Sequence, residues 1–135
     1  RRRSARMIVD ASALLAILLD EPDADEFNRA ISDELEDLLI SPVNFVEAAI
    51  RADKEGTETS RALDEIMRVS GIKVAAVTIH QTRLAREAYA RYGKGNHGAR
   101  LNLGDCFAYA LAKARGEKLL FKGEDFRSTD VEAAL

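Results

Sequence analysis

The sequence predicts a single α/β domain with a mainly parallel central sheet of four to five short strands, flanked by helices. Three observations lead there. Short apolar runs alternate with longer segments of helical periodicity, the arrangement of buried strands joined by helical crossovers. Most helical segments carry a start or stop signal of their own. The 135 residues suit one compact domain with a real hydrophobic core, and no repeat, linker or low-complexity stretch divides them.

Met7, Ile8 and Val9 read as a buried strand ending at Asp10. Ser12 is placed to cap a helix carrying Leu14, Leu15, Leu18 and Leu19. Pro22 and Asp23 open a second helix running to about Ser32. Residues 38–41 form the next strand, and Pro42 starts a helix that ends before Gly56, with Val43, Val46 and Ile50 as its apolar positions. Another helix spans about 58–70, stopped by Gly71, and residues 72–77 are the third strand. Thr78 and Gln81 have capping-box spacing for a helix through about Tyr92. A glycine-rich loop, residues 93–100, leads to a helix over about 103–115, which puts Leu103, Phe107, Ala110, Leu111 and Ala114 on one face and stops at Gly116. Residues 119–121 are the fourth strand, with room for a fifth near Val131.

Hydrophobic residues at 47% and charged residues at 32% describe a globular chain, neither disordered nor embedded in a membrane. Cys106 is the single cysteine, so no internal disulfide forms, and a reducing cytoplasmic setting is expected. Residues 1–6 are expected to be a basic tail, unstructured or left over from upstream sequence, with Met7 a natural start and residues 7–135 the domain. The net charge is −3, and the tail's four arginines hide a body four charges more acidic. Such a body does not hold nucleic acid by bulk electrostatics, so action on RNA requires metal ions and local basic groups.

Four acids fall where a surface role does not require them. Asp10 follows the first strand, Glu47 lies early in the helix after the second, Asp105 lies in the first turn of its helix, and Asp125 follows the fourth strand. Strand C-termini and the following helix N-termini share one edge of a parallel sheet, so the four are candidates to converge. Clustered carboxylates repel. Hard divalent cations such as Mg²⁺ relieve that repulsion and prefer oxygen ligands. They also polarise phosphoryl oxygens and generate hydroxide from water, which is the chemistry of phosphodiester hydrolysis. Taken singly, Asp105 reads equally as a helix-start charge complementing the dipole, and Glu47 as a surface residue. His80 and His97 do not have zinc-site spacing.

Four segments together resemble the PIN-domain family, and more closely its VapC branch of ribonuclease toxins from type II toxin–antitoxin systems. They are Met7-Ile8-Val9-Asp10-Ala11-Ser12-Ala13; Ser41-Pro42-Val43-Asn44-Phe45-Val46-Glu47-Ala48; Leu101-Asn102-Leu103-Gly104-Asp105-Cys106-Phe107-Ala108-Tyr109-Ala110; and Leu119-Leu120-Phe121-Lys122-Gly123-Glu124-Asp125-Phe126, continuing to Thr129-Asp130-Val131. The resemblance implies a Mg²⁺- or Mn²⁺-dependent endoribonuclease that cuts structured cellular RNA, often transfer RNA, by metal-activated water. It also implies a cognate VapB-like antitoxin and a homodimeric form. Asp10, Glu47 and Asp105 match the family's regular acidic positions as metal ligands, and Asp125 its more variable fourth, a role Asp130 could share or replace. Ser12 matches a hydroxyl residue beside the first acid, in a position to orient a metal-bound water. Asn44 and Asn102 match groups that fix loops or carboxylates. Ala11 stands where threonine or serine is frequent in the family, and Leu103 where an aromatic is frequent. Neither departure removes a ligand.

Other signals are weaker. Residues 93–98 spell G-x-G-x-x-G, but follow a helix and not a strand, so a loop beside the site is favoured over a dinucleotide fingerprint. Lys94, His97 and Arg100 are its candidate RNA-phosphate contacts. Cys106 and His80 read as structural residues. Phe27, Leu35 and Ile50 fit an antitoxin groove or core packing equally well. Two alternatives remain: a PIN-fold binding scaffold without nuclease activity, and a receiver-like signalling module whose late lysine would be Lys122. An Asp-x-Asp phosphatase is excluded because Ala11 and Ser12 follow Asp10.

Overall fold

The computed structural model describes residues 6–33, 37–95 and 98–135. Leu35, His97 and residues 1–5 of the basic tail lie outside the described residues. In chain order the elements are β1 (Arg6–Val9), α1 (Ala11–Leu18), α2 (Ala24–Ser32), β2 (Asp37–Ile40), α3 (Pro42–Glu55), α4 (Thr57–Val69), β3 (Ile72–Val74), α5 (Ile79–Tyr92), α6 (Leu103–Arg115) and β4 (Lys118–Leu120). The four strands form one sheet in the order β3-β2-β1-β4, and every pairing is parallel.

Alternation along the strands sorts the core into two layers, because successive side chains point to opposite faces. Met7, Val9, Leu38, Ile40 and Leu120 face the side covered by α1 to α4, packing with Leu14, Phe27, Ile31, Ala48 and Leu63. Ile8, Leu39 and Leu119 face the other side, against Ala85, Ala88, Tyr92, Ala108, Leu111 and Ala112 of α5 and α6. A sheet covered on both faces explains why its strands read as unbroken apolar runs. Among the described residues, no helix is long and apolar enough to cross a membrane.

Several expectations need correction. β1 begins one residue early, at Arg6, which pairs with Asp37 in register and by an ion pair of 3.7 Å. The α1 cap is Asp10, not Ser12: the Asp10 carboxylate accepts the Ser12 backbone N–H at 3.1 Å. A fifth strand is reduced to a single parallel bridge between Leu119 and Ala133. The buried face of α3 is Asn44, Ala48 and Ala52, while Val46 and Ile50 are 51% and 53% exposed. Small side chains let α1 and α6 approach α3 closely, and that contact outweighs the larger apolar residues' preference for the interior. Phe27 by contrast is core. Leu103 is 71% exposed, off the predicted stripe. α6 is instead buried nearly all round through Cys106, Ala108, Tyr109, Ala110, Leu111 and Ala112, because α3, α5 and the sheet all pack against it.

A candidate metal centre at the carboxyl edge of the sheet

Asp10 sits where β1, a central strand, runs into α1. Its backbone N–H donates to the Leu120 carbonyl at 2.9 Å, which ties it to the end of β4. Its Oδ2 accepts from both the backbone N–H and the hydroxyl of Ser12. Its Oδ1 is buried with no hydrogen-bond partner. Burial pushes the Asp10 carboxyl up to about 6, with the Glu47 charge adding to the rise and the two Ser12 bonds opposing it.

Ser12 links two segments of the site. Its hydroxyl proton goes to Asp10, and its oxygen accepts the Lys122 backbone N–H at 2.9 Å. It therefore fixes the Asp10 carboxylate and ties the start of α1 to the segment after β4.

Asp105 is the third residue of α6, and the local sequence builds a reciprocal cap around it. Asn102 accepts the Asp105 N–H at 2.8 Å, and the Asp105 carboxylate accepts the Asn102 N–H at 3.1 Å. Burial pushes the Asp105 carboxyl up to about 7; the Asn102 backbone bond opposes the rise, and the charges of Asp10, Asp125 and Glu47 add to it. Asp10, Glu47 and Asp125, far from one another in sequence, are thus each close enough to Asp105 to act on it electrostatically.

Glu47 lies one turn after Asn44 on α3. Asn44 is fully buried, and its amide donates to Glu47 Oε1 and to the Gly104 carbonyl, both at 2.9 Å. Its Oδ1 is another buried atom without a partner. Asp125 follows a turn at Gly123, whose φ of 99° suits glycine. The neighbouring Phe126 anchors that turn in the core, its ring 5.0 Å from Phe121.

Asp130 is engaged elsewhere. It accepts from the Tyr109 hydroxyl at 2.6 Å and pairs with Lys113 at 3.2 Å, and these contacts hold its carboxyl below the ordinary range. Among the described residues, no group of three or more acidic, histidine or cysteine side chains is arranged to hold a metal ion as the chain stands. An unpartnered buried carboxylate oxygen among hard oxygen donors fits a divalent cation such as Mg²⁺ or Mn²⁺.

Lys94 and Arg100 are exposed at the base of the glycine-rich loop. Backbone bonds from Lys94 to Leu101 and from Leu101 to Tyr92, at 2.9 and 2.8 Å, hold that base beside the start of α6. Arg100 has a φ of 60°, in the left-handed region. Lys122 is not free to act as a signalling lysine, since its ammonium is held by Glu21 at 2.9 Å and Asp23 at 3.1 Å. Cys106 is buried, and burial with the Asp105 charge pushes its thiol up to about 11, away from nucleophilic use. Sequence reasoning missed Gly104 and the Lys122 backbone as parts of this framework. A glycine in the first turn of an otherwise good helix was the available signal.

Comparison with known proteins agrees with this architecture. The family model described as PIN domain matches residues 7–132. A protein named Ribonuclease VapC from Mycolicibacterium smegmatis is 48% identical over 128 residues, covering 94% of this chain and 98% of that protein. Among solved structures, VapC20 of Mycobacterium tuberculosis, described as a sarcin-ricin loop cleaving toxin, superposes with a TM-score of 0.76 at 16% identity, covering 93% of this chain and 95% of that one. A chain of a toxin–antitoxin complex from Klebsiella pneumoniae gives 0.69 at 17% identity, with 92% of each chain covered.

Proposed function

The chain belongs to the PIN-domain family, on its VapC branch, and from that premise we propose that it is a metal-dependent endoribonuclease acting as the toxin of a toxin–antitoxin pair. The observation that supports the reading is a buried, unpartnered Asp10 oxygen at the end of β1, with Asp10, Glu47 and Asp125 each near enough to Asp105 to raise its carboxyl. Asp10, Glu47 and Asp105 would hold Mg²⁺ or Mn²⁺. Asp125 is the fourth acid, supported by its charge acting on Asp105 while Asp130 is occupied by Tyr109 and Lys113.

When bound, the cation supplies Lewis-acid polarisation of a phosphoryl oxygen and lowers the pKa of water. The residues of the chain do the positioning. Ser12 fixes one Asp10 oxygen and leaves the other free, Asn44 holds Glu47, and Asn102 holds Asp105. Burial raises the carboxyls of Asp10 and Asp105, with the neighbouring acids adding to the rise, and a bound cation would offset that cost. Lys94, His97 and Arg100 are the proposed contacts for RNA phosphates, the local positive charge that an acidic body needs. An antitoxin and a second copy of the chain are the proposed protein partners, and the exposed Val46 and Ile50 are apolar surface that such a partner would cover.

The deciding experiment is cleavage of total cellular RNA by the purified chain with Mg²⁺ or Mn²⁺, beside Asp10→Ala and Asp105→Ala. Discrete metal-dependent fragments, absent in both variants, are expected. Equal cutting by either variant would remove the metal-site assignment. Cation binding by folded protein without cleavage of any RNA would return the chain to the binding-scaffold reading.

A further inference from the structure

We propose that Gly104 is a positioning residue for the acid group: its bare α-carbon is the seat on which the Glu47 carboxylate rests against the first turn of α6, next to Asp105. The inference rests on the metal-binding reading above and asks what sets the place of one ligand.

A Cβ built on Gly104 would meet Oε1, Oε2 and Cδ of Glu47, all closer than real Cβ contacts come. The three nearest atoms are all Glu47 carboxylate atoms, so the carboxylate is what a side chain at this position would meet first. Backbone conformation does not require it either, because Gly104 is helical and absent from the positive-φ glycines. Helix propensity argues against it, since alanine is the better residue at a helical position. What remains is the carboxylate. Asn44 completes the seat, donating one amide proton to Glu47 Oε1 and the other to the carbonyl of Gly104 itself, each at 2.9 Å. One buried side chain of α3 thus joins the ligand to its support on α6.

A methyl group at position 104 would displace the end of a flexible side chain and leave the backbone alone. Gly104→Ala therefore folds, while Glu47 swings off its seat and away from Asp105. The test is calorimetric titration of Mn²⁺ alone, together with thermal unfolding of the metal-free chains. Metal-free Gly104→Ala is expected to melt at or above the wild-type temperature, with Mn²⁺ affinity roughly 10–100-fold weaker, the usual cost of losing a ligand's support. Glu47→Asp, a shorter acid, is expected to weaken the wild type but to recover affinity in the Gly104→Ala background, because it clears the methyl.

Wild-type affinity in Gly104→Ala, or an equal loss from Glu47→Asp in both backgrounds, would overturn the proposal. If Gly104→Ala melts lower, Glu47→Ala must restore its stability; a loss that persists means the glycine serves something else. Failure of Mn²⁺ to bind the wild-type chain would sink the metal reading itself. Wild-type binding that Gly104→Ala leaves unchanged would sink this inference alone.

Discussion

At Asp10 the two carboxylate oxygens have different fates, one saturated by Ser12 and the other buried without a partner. A buried acid raised to about 6 binds its proton more tightly in the folded chain than in the unfolded one. Its share of stability is therefore complete below the ordinary carboxylate range and lost as pH rises through 6. Asp105, raised to about 7, acts in the same direction. The metal-free chain is thus expected to lose thermal stability between about pH 4 and pH 7, and Asp10→Asn to flatten that loss. At pH 7, Asp10→Asn gains on the order of 2 kcal/mol in the metal-free chain while losing cleavage and cation-induced stabilisation. Denaturant melts with and without Mn²⁺ measure both effects. Asp125 and Asp130 separate in the same way. Asp125→Asn should cut cleavage with little change in stability. Asp130→Asn should leave cleavage intact and cost at most about 1 kcal/mol, because the Lys113 pair is partly solvated and the amide oxygen still accepts from Tyr109. Reversed results would exchange the two assignments.

Elements were legible in the sequence where local chemistry decides them. The Gly116 stop is in the left-handed conformation, Pro42 opens α3, and Thr78 accepts the Gln81 N–H, all signals carried within a few residues. Faces were less legible. α3 presents Val46 and Ile50 outward because the packing of α1 and α6 selects Asn44, Ala48 and Ala52, and nothing in a helical period says that small residues will win. The cap of α1 was misread for a related reason: Asp10 and Ser12 are both good capping residues, and the strand end fixes which is used. The candidate ligands were proposed from acids near strand ends and helix starts, and Ser12, Asn44 and Asn102 from the family resemblance, but Gly104 and the Lys122 backbone could not be read. Those two act through contacts 60 to 110 residues away in sequence. The face assignment has its own check. Ala48→Leu should destabilise the chain by about 1–3 kcal/mol through overpacking, with Ile50→Lys nearly neutral in the isolated chain. Comparable melting of the two variants would contradict the orientation of α3.

Across the whole molecule, a sheet with every strand parallel divides its two edges by task. The candidate ligands gather where strands end. The opposite edge, where strands begin, carries the Gly71 and Gly116 turns, and there the backbone N–H of Arg6 donates to Glu117 at 3.3 Å. The first and last described segments both meet at β4: Met7 pairs with Lys118, and Ala133 bridges Leu119. A one-residue slip of β1 against β4 would therefore break the bond from the Asp10 N–H to Leu120 and turn Met7 and Val9 out of their layer.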